Sequence, residues 1–169
     1  MSGKERSTPT RLVHHPQCMG CGSENPAGIG AHYWIAGDGV EGRVRFDDRQ
    51  SGAPGFAHGG AVATVLDDLL GSLLFVLERP AVTANLSVDF RAPAYLGRDL
   101  DLRAWCAGID GRKLDLRGEV LDEGLVIAAG KGLFLEVELS HWDLPGPSQS
   151  LTEGFLPWQQ GTAGADPRR

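Results

Sequence analysis

Cysteine is scarce in this chain: only Cys18, Cys21 and Cys106 occur among 169 residues. A small odd number makes no disulfide framework, and a reduced, cytoplasmic setting is the expectation. Positive charge is also in short supply. Sixteen Lys and Arg stand against 22 Asp and Glu, giving a formal net charge of −6. Nucleic-acid binders are ordinarily basic, so nucleic acid is not an expected partner. An anionic small ligand is still admissible, because a few arginines and a helix N-terminus can hold phosphate on an acidic protein. Residues 1–17 lack the apolar segment of a signal peptide. Ser2 stands where myristoylation needs glycine, and the C-terminus has no prenylation cysteine. Phosphate-cradling and dinucleotide-binding glycine patterns, the nucleophile elbow of serine hydrolases and the His-Glu-x-x-His zinc motif are all missing.

The length suits one domain, large enough to bury about two thirds of its unfolded surface without a disulfide or metal. Residues 1–17 read as an N-terminal tail, 18–140 as the folded domain and 141–169 as a C-terminal extension. That extension holds Pro145, Pro147, Pro157 and Pro167, with Phe155, Leu156 and Trp158 as candidate apolar anchors.

One segment differs from the rest. From Gly59 to Leu77 the only charged residues are Asp67 and Asp68. Val62, Val65, Leu66, Leu69, Leu70, Leu73, Val76 and Leu77 recur at helical spacing, which predicts a long buried helix closed by Pro80. Two mid-segment aspartates would each cost about 2.5–3.5 kcal/mol in a bilayer, so a membrane span is disfavoured. Beyond the helix the period falls from 3.6 to 2. Val82–Phe90 alternates, with Thr83, Asn85, Ser87 and Asp89 on the polar side. Leu100–Cys106, Leu114–Val120 and Leu125–Val137 complete four strands. Ahead of the helix, Ala31–Ile35 and Val40–Phe46 read as a hairpin. The expected fold class is α+β, an antiparallel sheet curling around a single apolar helix.

Four features could carry chemistry. His58-Gly59-Gly60 stands at the helix start, where unpaired amides and the macrodipole suit a developing oxyanion; the same glycines could serve tight packing alone. Asp67 and Asp68 point about 100° apart, so they do not form one dyad. Asp67 lies beside Thr64 and Gly71, small enough to wall a pocket, whereas Asp68 is better read as a cap on a neighbouring loop or a salt-bridge partner. Thr83 and Asn85 could orient Asp67 or a water, or simply face solvent. Cys18-Met19-Gly20-Cys21 has metal-ligand spacing, with His14, His15 and His32 nearby. A structural zinc site usually shows a second such pair, which is missing, so no metal is expected.

Together these residues resemble the hotdog-fold acyl-CoA thioesterase superfamily, in particular its phenylacetyl-CoA thioesterase-like branch and the mitochondrial long-chain acyl-CoA thioesterases. The resemblance runs through Gly55–Asp67, with His-Gly-Gly followed by an acid nine positions after the histidine. It continues through Val82–Pro93, like the strand that supplies a catalytic Thr or Ser, and includes Cys18–Gly22 with Asn25–Gly28. It implies a curved antiparallel sheet wrapped around one long helix, and a homodimer or dimer of dimers with the site at the subunit interface. It further implies Asp67 as general base or nucleophile, Thr83 as its support, the Gly59 amide as carbonyl polariser and His58 at the helix start. Gly60, Asn85 and Arg91 would contact the acyl-CoA substrate, with Arg98 a further candidate. No cofactor, metal, nucleic acid or membrane is implied. Some members of the branch carry a polar residue six positions before the histidine, where this chain has Gly52.

Two other readings compete. A hotdog hydratase or dehydratase would need His58 and Asp67 on one substrate, yet nine helical residues separate them by about 13 Å. A non-catalytic acyl-CoA-binding protein would bind without turnover.

Overall fold

The structure, a computed structural model, describes residues 11–142. The C-terminal anchors Phe155, Leu156 and Trp158 lie outside the described residues. The elements are β1 (Arg11–Leu12), β2 (His32–Ala36), β3 (Gly39–Arg45), β4 (Ser51–Ala53), β5 (Phe56–Ala57), α1 (Gly59–Leu77), β6 (Ala81–Phe90), β7 (Asp99–Asp110), β8 (Lys113–Asp122) and β9 (Leu125–Glu136). Seven strands form one antiparallel sheet in the order β1-β2-β3-β7-β8-β9-β6, and β4 pairs with β5 in a small separate ribbon.

Helix α1 spans the residues that its apolar run predicts and ends at Glu78, which turns left-handed (φ 54°) two residues before Pro80. It is long and apolar enough to cross a membrane, but its Leu and Val stripe is spent on the sheet. Val65, Leu66, Leu69, Leu70 and Leu73 are fully buried against Leu100, Leu114, Leu116, Val120 and Phe134. Each such leucine stabilises the fold by about 1.5–3 kcal/mol relative to exposure.

What lets the helix approach so closely is a row of glycines on the inner face of β8 and β9. A Cβ at Gly118 would meet Leu70 Cδ2 at 3.1 Å, one at Gly130 would meet Leu66 Cδ2 at 3.3 Å, and one at Gly132 would meet Leu70 Cδ1 at 2.8 Å. Helix leucines occupy the space that side chains would otherwise fill.

Two features differ from the sequence expectation. The first is the tail boundary. Residues 11–17 belong to the domain: β1 pairs with β2, Leu12 is buried, and the following loop lies across α1. The second is the phase of β6. Val82–Phe90 reads as an unbroken alternation, but the pairing with β9 slips between Thr83 and Asn85, leaving Ala84 as a bulge. Cross-strand partners share a face. Thr83 pairs with buried Phe134 and so joins Leu86 and Val88 toward the helix, whereas Asn85 pairs with exposed Leu133 on the outer face. Thr83 and Asn85 therefore do not share a side.

Filling the glycine seat tests this account of the packing. Gly132→Val should lower unfolding free energy by about 1–3 kcal/mol through overpacking against Leu70, measured as a shift in denaturant midpoint. Unchanged stability would show that the helix does not depend on that seat.

Candidate active site

His58 is the N-cap of α1. Its backbone is extended (φ −64°, ψ 135°), and its Nδ1 accepts the Gly60 N–H at 2.8 Å. Its carbonyl accepts from Ala61 at 2.9 Å and from Val62 at 3.2 Å. A Cβ at Gly60 would stand 2.8 Å from that Nδ1, so the glycine is what lets the imidazole fold back over the first turn. Gly52 is equally constrained: a Cβ there would meet His58 Cα at 2.7 Å, which leaves no room for the polar side chain of some relatives. With the next three amides committed to His58, the Gly59 N–H is the first-turn donor left without a bond among the described residues. Gly59 borders a hollow of about 320 Å³ shared with Val62, Phe90 and Arg91. Arg98, by contrast, is ion-paired to Asp122 and Glu123, each at 2.8 Å.

Two turns along α1, the Thr83 hydroxyl donates to Asp67 Oδ1 at 2.9 Å. The bulge at Ala84 makes this contact possible by turning Thr83 inward. Asp67 is half-buried, and with Thr83 it borders a second hollow of about 260 Å³ walled by Gly71, Leu74, Phe75 and Phe134. A carboxylate with one oxygen held by a hydroxyl and the other open to a small apolar-walled cavity can take a proton from a bound water. Asn85 is not part of this arrangement; it lines a separate surface hollow with Lys113 and Asp115.

Asp68 points the other way, as the 100° helical step requires. It meets the N-terminal loop: His14 Nδ1 lies 2.8 Å and Cys18 Sγ 3.0 Å from its Oδ1. Cys21 Sγ lies 3.3 Å from the same imidazole nitrogen. The sequence puts His14, His15 and His32 near Cys18 and Cys21 without selecting among them, and Asp68, 47 residues after Cys21, comes from another element. His15 and His32 stay outside; His15 Nδ1 accepts from the Gln17 amide at 3.0 Å. The crowding shifts these groups together. Burial works against a charged His14, but the contacts with Asp68 and Cys18 outweigh it and raise its pKa to about 10. Hydrogen bonding with Cys21 lowers Cys18 to about 5 against its own burial, and the same contact together with burial pushes Cys21 upward. Burial opposes ionisation of Asp68, yet His14 and the two thiols hold it below the usual carboxylate range.

A single helix in a curved antiparallel sheet, with an acid on the helix facing a threonine on the edge strand, defines a hotdog-fold domain. Residues 54–129 match the family model described as the Thioesterase superfamily. Mouse acyl-coenzyme A thioesterase THEM4 (Mus musculus) is 33% identical over 89 residues, 52% of this chain and 38% of its own length. The chain thus spans well under half of that curated relative. The crystal structure of a thioesterase superfamily protein, 30% identical, superposes with a TM-score of 0.65 over 68% of this chain and 58% of that one. The PaaI protein from the phenylacetic acid degradation operon of E. coli, 14% identical, shares the fold with a TM-score of 0.61 over 65% of this chain and 81% of its own.

If His58 works as a cap, His58→Ala should destabilise the protein by about 1 kcal/mol, whereas His58→Asn, itself a good N-cap, should restore most of that loss. Thermal unfolding of both variants checks it, and equal losses would argue against capping.

Proposed function

We propose that this chain is an acyl-CoA thioesterase, hydrolysing a thioester to a free acid and CoA. The observation that carries the reading is the 2.9 Å hydrogen bond from Thr83 to Asp67 at the wall of an apolar cavity. The names of relatives such as mouse THEM4 and bovine THEM4, 33% and 35% identical over 52% of this chain, supply the substrate class. Asp67 takes a proton as water adds to the thioester carbonyl. The tetrahedral oxyanion then collapses, the C–S bond breaks, and the CoA thiolate leaves and is reprotonated. Thr83 holds one Asp67 oxygen so that the other faces the water. A thiolate is stable enough to leave without a strong acid, which suits a site where the Nδ1 of His58 is tied to the helix cap.

The oxyanion donor of this reading is the Gly59 amide, and it comes from a second subunit. Gly59 and Asp67 are eight helical residues apart, about 12 Å, too far to share one carbonyl. Strand β6 supports a dimer that removes this gap. It is a ten-residue edge strand, paired on one side to β9 and open on the other among the described residues. Long open edges invite pairing. One end of β6, at Thr83, borders the Asp67 hollow; the other, at Phe90, borders the Gly59 hollow. Antiparallel pairing of two β6 strands about a two-fold axis sets each Asp67 hollow against the partner's Gly59 hollow. Two composite sites result, with Arg91 beside the amide to receive CoA phosphate. The free thiols of Cys18, Cys21 and Cys106 favour a cytoplasmic setting.

Asp67→Asn should reduce CoA release from a panel of short, aromatic and long-chain acyl-CoAs by about 10²–10⁴-fold without loss of fold. Unchanged turnover would sink the mechanism. The composite site has its own check. Gly59→Pro removes the amide N–H at a helix position that tolerates proline, and the extended His58 before it is compatible. Each variant alone should be inactive. Unfolded and refolded together, they should recover about a quarter of wild-type activity, from mixed dimers with one intact site. No recovery from well-folded mixed dimers would place both groups in one subunit.

A further inference from the structure

We infer that His14, Cys18, Cys21 and Asp68 form a tetrahedral Zn²⁺ site that fastens the N-terminal loop to the middle of α1. One ligand atom from each of the four residues lies within 4.8 Å of all the others. The closest pairs are the 2.8 Å from His14 Nδ1 to Asp68 Oδ1, the 3.0 Å from Cys18 Sγ to the same oxygen, and the 3.3 Å from Cys21 Sγ to His14 Nδ1. Bonds of about 2.0–2.3 Å from zinc to N, O and S ligands set tetrahedral edges of about 3.3–3.8 Å. The three closest pairs fall short of those edges by about 0.3–0.5 Å, and no pair exceeds them by more than about 1 Å, so small side-chain adjustments admit the ion. Two sulfurs with one imidazole and one carboxylate in a set of four favour zinc over the hard, oxygen-seeking cations.

The surroundings point the same way. Cys21 is fully buried, and Asp68 Oδ2 is a buried oxygen without a hydrogen-bond partner. Buried carboxylate oxygens are costly unless paired or coordinated. The loop is also built for the geometry. Cys18 N–H donates to the His15 carbonyl at 2.9 Å and Gly22 N–H to the Cys18 carbonyl at 3.0 Å, a tight turn that aims both sulfurs inward. The His14 N–H donates to Cys21 Sγ at 3.4 Å and fixes where that sulfur sits. A Cβ at Gly20 would stand 2.2 Å from Asp68 Oδ2, so glycine alone lets the loop close over the carboxylate. On the far side of the ring, Ser72 Oγ lies 3.5 Å from His14 Nε2 and donates to the Asp68 carbonyl at 3.0 Å, orienting the imidazole from behind. His14 and Cys18 also wall the Asp67 hollow, so the metal would stiffen one side of the acyl pocket without touching the reacting atoms.

The test uses the full chain purified without chelator, with metal measured by elemental mass spectrometry. The expected result is about one zinc per chain, falling to under about a tenth in Cys18→Ser and in Cys21→Ser, while Cys106→Ser retains it. Removing the zinc should lower the melting temperature, and returning it should restore the original value. Should the serine variants fail to fold, the wild type reloaded with Co²⁺ reports directly. Intense tetrahedral d–d absorption with sulfur-to-cobalt charge transfer supports the site, and a spectrum without sulfur charge transfer overturns it. Wild-type protein that is metal-free as purified and unaffected by added zinc would overturn it as well. So would a Cys18–Cys21 disulfide in protein prepared under reducing conditions. None of these readouts depends on thioester hydrolysis.

Discussion

The seating of Leu66 and Leu70 in the glycine row of β8 and β9 fixes the rest of this molecule. Helix α1 is a rod that could in principle be rotated about its axis by any small change of packing. Leucine methyl groups lodged where Gly118, Gly130 and Gly132 have no side chains oppose that rotation. With that angle set, each outward position has one possible neighbour. Asp67 faces the edge strand and Thr83; Asp68, one residue on, faces the N-terminal loop. A rotation of a quarter turn would separate both carboxylates from their partners and leave two costly charges half-buried.

Much of this was legible in the sequence, for definite reasons. The helix announces itself through eight apolar residues at helical spacing, and its bounds agree because Gly59 and Pro80 mark its ends in local chemistry. The inward residues of β7 and β8 follow from simple alternation. Three things were hidden. The bulge at Ala84 leaves no trace in a stretch that alternates cleanly, because a slip in register is a property of the pair of strands and not of either one. The role of residues 11–17 was concealed by their polarity; Leu12 and Val13 stand among charged and polar neighbours, and the burial of Leu12 depends on a partner strand about twenty residues away. His14 stood in view beside Cys18 and Cys21, but the part played by Asp68 was hidden for the same reason: a set completed across elements has no spacing to recognise.

The two ends of the candidate site differ in how they are held. At the helix start, a side chain bonds its own backbone, and the cap needs only His58, Gly60 and the space beside Gly52. The Asp67–Thr83 contact instead relies on tertiary structure, since it joins a helix to the far edge of the sheet through one irregular residue. The first would survive considerable repacking. The second is sensitive to anything that alters the register of β6 on β9.

The loop that crosses α1 also has a consequence for how the chain comes into being. Cys18 reaches Asp68 across 50 residues of sequence. On the ribosome, the two cysteines of the loop emerge well before the helix that receives them, and the sheet strands that seat the helix emerge later still. Through that interval the thiols are exposed to whatever oxidants and metal ions the surroundings hold. The loop is thus made before the elements that hold it, and the redox state of its surroundings in that interval bears on whether it can close over the helix.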